Sequence, residues 1–312
     1  MFIATLIADG SLDDAVLSEI AHRFEVGFTA GTLTGLSWID HGYAADLTFD
    51  PSEGFRESDC AELAATIKDE ALAIATGGYG RDLALDVVVQ PAVGREKKLL
   101  VADMDSTVIT VECIDELADY AGIKAEIAAV TEAAMRGELD FAAALDARVA
   151  LLKGLDAGAI DRCLAERVTI VAGATTLVRT MRSRGAETIL VSGGFTRFAE
   201  PVAKEIGFDR AIANVLEIDG AGLAGTVTKP IVDSSTKERT LIEARDRLGL
   251  AAHETLAVGD GANDLAMIKL AGLGVAYHAK PIVAAAAGAR IDHGDLTALL
   301  YAQGIGRADW VE

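Results

Sequence analysis

Two aspartates one residue apart, Asp103 and Asp105, end the apolar run LLVA at 99–102. Like charges at the end of a core-bound segment need a cation or a shared proton. A third acid, Asp260, ends a second apolar run in TLAVGDGANDLAM, and Asp264 follows one helical turn later. A lone Asp-x-Asp is more often a helix cap than a site. Joined to GDGxxD at another strand end, it reads as a place for a cation. Carboxylate oxygens with few other donors suit Mg²⁺, which keeps several waters and often shares its site with phosphate. The stretch VSGG at 191–194 adds the Ser192 hydroxyl and the closely approachable amide of Gly193, the elements of an anion nest. Lys237 lies just inside a segment that DSS at 233–235 can cap as a helix, and supplies local positive charge. The groups together describe a site for a phosphate-bearing ligand.

The elements that must position these residues follow from the apolar pattern. From residue 99 onward the strand candidates KLLVAD, ETILVSG and TLAVGD are short, apolar and separated by helical segments, the pattern of an α/β unit with a parallel sheet. Ligands of such sheets sit beyond the carboxyl ends of the strands, where all three candidates carry their polar residues. About eighty residues separate the first two strands, far more than a crossover needs. The excess, about 112–175, reads as an inserted helical cap. Within it Asp140 is an N-cap, and Phe141, Leu145, Arg148 and Leu152 fall on one helical face. An arginine on an apolar stripe either lays its stem there and sends its head to water, or meets a carboxylate.

Residues 1–92 read as a separate βαββαβ unit of the ferredoxin-like kind, with Ser11 as the N-cap of its first helix and GGYG closing its second. Residues 93–98, VGREKK, read as a linker, leaving 99–312 as the α/β unit. Fold class is therefore α/β: a Rossmann-like parallel core with a helical cap, preceded by a small α+β domain.

Composition excludes other classes. The formal net charge is −20, from 48 acidic and 28 basic residues, which argues against nucleic acid or an anionic membrane as partner. No segment reads as a signal peptide or a membrane span. Cys60, Cys113 and Cys163 show neither metal spacing nor a disulfide framework, which suits a reducing cytoplasm. The five histidines, His278 among them, show no metal spacing.

DMDST, VSGG, the later Lys237 and GDGANDLAM resemble the four motifs of the haloacid dehalogenase superfamily. DMDSTVITVECIDELA, the cap segment AMRGELDFAAALDARVALLKGL and AYHAKP resemble its phosphoserine phosphatase branch, over about residues 97–300. The N-terminal unit resembles, in pattern, the ACT-like domain of longer bacterial members. The resemblance implies hydrolysis of O-phosphoserine to serine and phosphate, the last step of serine biosynthesis. It implies that Asp103 is the nucleophile and that Asp105 protonates the leaving oxygen and then activates water. Mg²⁺ would be held by Asp103, the backbone carbonyl of Asp105, and Asp260. The phosphate would be held by Ser192, Gly193 and Lys237, with Asn263 reaching its side of the substrate and Asp264 orienting Lys237. Glu112 would take the substrate ammonium, Arg148 its carboxylate, and Met135 and Phe141 would close over it. The same residues leave open a phosphatase or phosphotransferase for another small phosphomonoester, an amino-acid sensor, and a homodimer formed through the N-terminal unit.

Overall fold

The computed structural model describes residues 1–80, 82–135 and 138–312, without the side chains of Tyr79 and Met135. The chain opens with β1 (Phe2–Ala8), α1 (Asp14–Gly27), β2 (Gly31–Asp40), β3 (Ala44–Pro51), α2 (Cys60–Tyr79) and β4 (Leu85–Pro91). The four strands form an antiparallel sheet in the order β2-β3-β1-β4. The N-cap of α1 is Asp13 rather than Ser11: the Asp13 side chain accepts from Val16 N at 2.9 Å. The reason is Leu12, which is buried in the core and bonded through its amide to Gly42 O, so the chain stays extended two residues longer. Helix α2 runs on through Gly77 and Gly78 and is closed by Gly80 in the left-handed region.

Alternation splits the residues of this sheet between two cores. Leu6, Leu47, Val87 and Val89 pack with Phe24 of α1 and Ile67 of α2. Ile7, Ala44 and Val88 face the other way and join the core of the α/β unit. The short segment that follows β4 is pinned rather than loose. Arg95 reaches both oxygens of Asp46 at 2.6 and 2.7 Å, Thr5 Oγ1 at 2.9 Å and the Ala302 carbonyl at 2.9 Å. Lys97 is 3% exposed and donates to the carbonyls of Gly94 and His253.

Next come β5 (Leu99–Ala102) and four helices: α3 (Cys113–Ala121), α4 (Lys124–Met135), α5 (Phe141–Leu151) and α6 (Gly158–Arg167). A bridge between Ile109 and Ile170 closes the base of this insertion. The chain re-enters the core as α7 (Ala174–Ser183), β6 (Glu187–Phe195), α8 (Thr196–Ile206) and β7 (Arg210–Asn214). A hairpin follows, β8 (Leu216–Asp219) and β9 (Gly222–Val227), which sequence reasoning had not marked. It bonds to the cap through Gly154 N to Leu223 O and Leu223 N to Leu155 O. The remainder is α9 (Ser234–Leu248), β10 (Thr255–Gly259), α10 (Leu265–Leu270), β11 (Leu273–Tyr277), α11 (Pro281–Ala284), β12 (Ala289–Ile291) and α12 (Ala298–Ala302).

The six core strands are all parallel, in the order β12-β11-β10-β5-β6-β7. Strand β5 is buried on both faces, as a central parallel strand must be. Leu99 and Val101 pack with Leu241 of α9 and Met267 of α10; Leu100 and Ala102 pack with Val178 of α7 and Phe198 of α8. Ala102 stands opposite Val258 and Leu190 in its neighbours. The register therefore delivers Asp103, Asp260 and Ser192 at nearly one level, at the carboxyl ends of three adjacent strands.

Candidate active site

Asp103 continues the pairing of β5 through its amide to Val258 O and turns its carboxylate under the cap. Its Oδ1 accepts from Met104 N and lies 2.6 Å from Lys237 Nζ. Lys237 arrives from the first turn of α9, which starts where Asp233 caps Thr236 N. It is wholly buried, and Asp264 Oδ1 takes its other side at 2.7 Å. Burial pulls the Lys237 ammonium toward neutrality, and Asp103 and Asp264 more than reverse this, leaving its pKa above the ordinary value. Burial, then the charge of Asp103, raises the pKa of Asp264 above the usual carboxylate range, against the pull of Lys237. Asp264 packs so tightly on β10 that a Cβ at Gly259 would lie 2.4 Å from its Cγ. Its Oδ2 accepts from Gly261 N.

Carboxylate oxygens of Asp103, Asp260 and Asp264 lie within 4.8 Å of one another, and all three residues are buried. Three acids around one ammonium leave an excess of negative charge on a set of hard oxygen donors, which fits a divalent cation of the Mg²⁺ type. Asp260 also accepts from Thr107 Oγ1 at 3.3 Å, and burial, then the charge of Asp103, pushes its pKa up to about 6. The Asp105 carboxylate stands apart from this trio. Its Oδ1 accepts from Cys113 N at the start of α3, and burial, reinforced by Glu112, pushes its pKa up to about 7.

A cavity of about 420 Å³ opens above these groups. Asp103, Asp105, Asp260, Asn263 and Gly193 form its floor, and Glu112, Phe141, Leu145 and Arg148 form the cap wall. Asp140 caps α5 by accepting from Ala143 N at 2.8 Å. Leu145 and Leu152 are buried, whereas Phe141 is 37% exposed and leans on the floor: a Cβ at Gly193 would lie 3.1 Å from its Cζ. Arg148 is half-buried, and its Nε donates to Ala144 O at 3.3 Å. It makes no ion pair among the described residues; burial lowers its pKa against the nearby charges of Asp115 and Glu112. Glu112 accepts from Ser106 Oγ at 2.9 Å.

Of the residues singled out from sequence, eight line the cavity. Lys237 and Asp264 lie beneath its floor, and Ser192 is buried with its Oγ accepting from Gly194 N at 2.8 Å. The side chain of Met135 lies outside the described residues. Sequence reasoning missed Thr107, inside DMDST, and Lys280, which lines the cavity just past the end of β11. The second had a signal: LGVAY is another short apolar run ending at the same edge of the sheet.

The model of the haloacid dehalogenase-like hydrolases matches residues 97–272, which contain every floor residue. The chain belongs to the haloacid dehalogenase-like hydrolase family. A phosphoserine phosphatase of Streptomyces coelicolor is 46% identical over 239 residues, 77% of this chain. That match spans only 58% of the Streptomyces protein's length. A phosphoserine phosphatase of Polaromonas sp. is 47% identical over 208 residues, 65% of this chain and 88% of its own. Among solved structures, a probable phosphoserine phosphatase from Vibrio cholerae superposes with a TM-score of 0.73 at 30% identity, covering 99% of this chain and 87% of that one. The motifs of this chain stand at strand ends and face a cap that closes one side of the cavity.

Proposed function

We propose that this hydrolase is a Mg²⁺-dependent phosphatase that cleaves O-phosphoserine to serine and phosphate through an aspartyl-phosphate on Asp103. The observation that carries the reading is the cavity's polarity. The floor presents Asp103 over buried Lys237, and the cap wall presents Glu112 and Arg148, which makes no ion pair among the described residues. A ligand with a phosphate at one end and an ammonium and a carboxylate at the other meets both. The names of the relatives support the same substrate.

Mg²⁺ would be held by Asp103, Asp260 and the Asp105 carbonyl, and would neutralise the phosphoryl oxygens when bound. Asp103 is kept from swinging by Lys237 and the Met104 amide, so its carboxylate is pre-aligned for attack on phosphorus. As the P–O bond to serine breaks, Asp105 gives its proton to the leaving oxygen. Burial and Glu112 favour the protonated form it needs for that step. The ionised Asp105 then takes a proton from the water that attacks phosphorus, which frees Asp103. Arg148 would fork onto the substrate carboxylate, Glu112 would take the ammonium, and Phe141, already against Gly193, would shed water. Ser192, the Gly193 amide and Asn263 would hold the phosphate.

In this reading the enzyme supplies the last step of serine formation. Three unpaired buried cysteines suit a reducing cytoplasm, and no described helix is long and apolar enough to cross a membrane. The test is a substrate panel with Mg²⁺ omitted and restored. O-Phosphoserine should be preferred over phosphomonoesters lacking a carboxylate, and Arg148→Ala should raise KM for phosphoserine about 10–100-fold with little effect on the others. Equal effects on both substrate types would assign the cap to a different phosphomonoester.

A further inference from the structure

The cations of the floor are already committed. Lys237 is enclosed by Asp103 and Asp264, and together with Asp260 these acids outweigh it by two charges, which one divalent cation cancels. An incoming phosphate dianion then faces Asp105 and Glu112 in a chain of net charge −20. With Arg148 assigned to the substrate carboxylate, Lys280 is the cation left among the described residues that line the cavity. It lines the same cavity, is exposed, and makes no ion pair among the described residues. Its charge reaches Asp260, where it offsets part of the effect of burial.

The position of Lys280 is set from two sides. Its amide donates to Asp260 O at 3.2 Å. Two residues earlier, His278 adopts a positive φ of 43°, donates its amide to Ile291 O and bonds Gly294 O through Nε2 at 3.0 Å. The loop carrying Gly294 is held in turn from the N-terminal unit. Three consecutive amides, those of Asp292, His293 and Gly294, donate to the buried carboxylate of Asp86 on β4 at 2.9, 3.0 and 2.8 Å. Lys68 of α2 bridges Asp86 and Asp292 from the other side.

We propose that Lys280 binds the phosphate group at the cavity mouth, and that Asp86 is a positioning residue that fixes Lys280 through the loop 291–294 and His278. The proposal rests on the phosphatase reading for the identity of the substrate and not for the anion chemistry. It assigns the N-terminal unit a part in the site although none of its residues lines the cavity.

The test is titration of the full chain, with Mg²⁺ present, against inorganic phosphate at several ionic strengths. Lys280→Ala should weaken phosphate binding about ten-fold and flatten its salt dependence, and Lys280→Arg should restore most of both. Asp86→Asn should weaken binding about three-fold in the otherwise unchanged chain and leave it unaltered in the Lys280→Ala background, since the cycle isolates action through Lys280. His278→Ala, at an exposed residue, makes the same comparison if Asp86→Asn fails to fold. Unchanged phosphate affinity in Lys280→Ala overturns the role of Lys280. Equal losses from Asp86→Asn, or from His278→Ala, in both backgrounds overturn the positioning role. Lys280-dependent phosphate binding in a chain that leaves phosphoserine intact would sink the substrate assignment and keep this one.

Discussion

Lys237 in the cavity floor and Lys97 at the seam between the N-terminal unit and the core are both buried, and they are held by opposite means. Lys237 sits between two carboxylates, and its charge is reinforced. Lys97 donates to two carbonyl oxygens; burial, aided by neighbouring Arg95, lowers its pKa to about 8. The floor concentrates charge that chemistry can use, at the cost of acids crowded against one another. The seam spends its polar groups on hydrogen bonds that fix shape. Damage to the floor should therefore always show in turnover, whatever it does to stability, and damage to the seam in stability alone.

The largest effect expected is that of Asp103→Asn, which should lower turnover by about 10⁴-fold or more. The metal-free protein should keep its melting temperature, because one of three crowded acids has been neutralised. A clear drop in melting temperature would put Asp103 on the seam's side of the comparison. Lys237→Met should lose about 10³-fold in turnover and, by leaving two buried carboxylates without their cation, about 3–5 kcal/mol in urea melts of the metal-free chain. Arg95→Ala strips Asp46 of a two-pronged buried partner and should cost about 2–4 kcal/mol, with kcat of the folded enzyme within about two-fold of the parent. A large loss of kcat at unchanged stability would merge the two regions.

The smallest effect is pH-dependent. Between about 8 and the ordinary lysine pKa near 10.5, the folded chain holds less proton on Lys97 than the unfolded chain does. Stability therefore rises with pH across that window. Measured against Lys97→Met, which has nothing to titrate there, the parent should gain about 2 kcal/mol between pH 7 and 9.5. A flat or falling difference would show that Lys97 keeps its charge when folded, as Lys237 does.

The two regions were unequally legible in the sequence. Asp103, Asp105, Asp260 and Asp264 could be read because acids at the ends of apolar runs conflict with burial unless something requires them. Arg148 could be read for the same reason, as a charge on an apolar stripe. Arg95 and Lys97 conflicted with nothing: within VGREKK they looked like a solvated charge run, and their partners, Asp46, Ala302 and His253, are remote in sequence. Carbonyl oxygens, moreover, leave no mark in residue type. The first helix began later than Ser11 suggested because burial of Leu12 outweighed capping preference. The hairpin β8–β9 was missed because it is short and takes its support from the cap, not from its own sheet.

The Arg95 clasp also bears on how such a chain can be recombined. A cut anywhere in 92–98 would not release a cassette at a hinge; it would unseat a guanidinium whose bonds reach β1, β3 and the carbonyls before α12's end all at once. A foreign N-terminal unit grafted here would have to match the apolar face of Ile7, Ala44 and Val88 and also bring its own counterparts of Asp46 and Asp86. A substitution at Asp46 or Asp86 in one half therefore leaves donors of the other half, the Arg95 guanidinium or the amides of 292–294, without their acceptor.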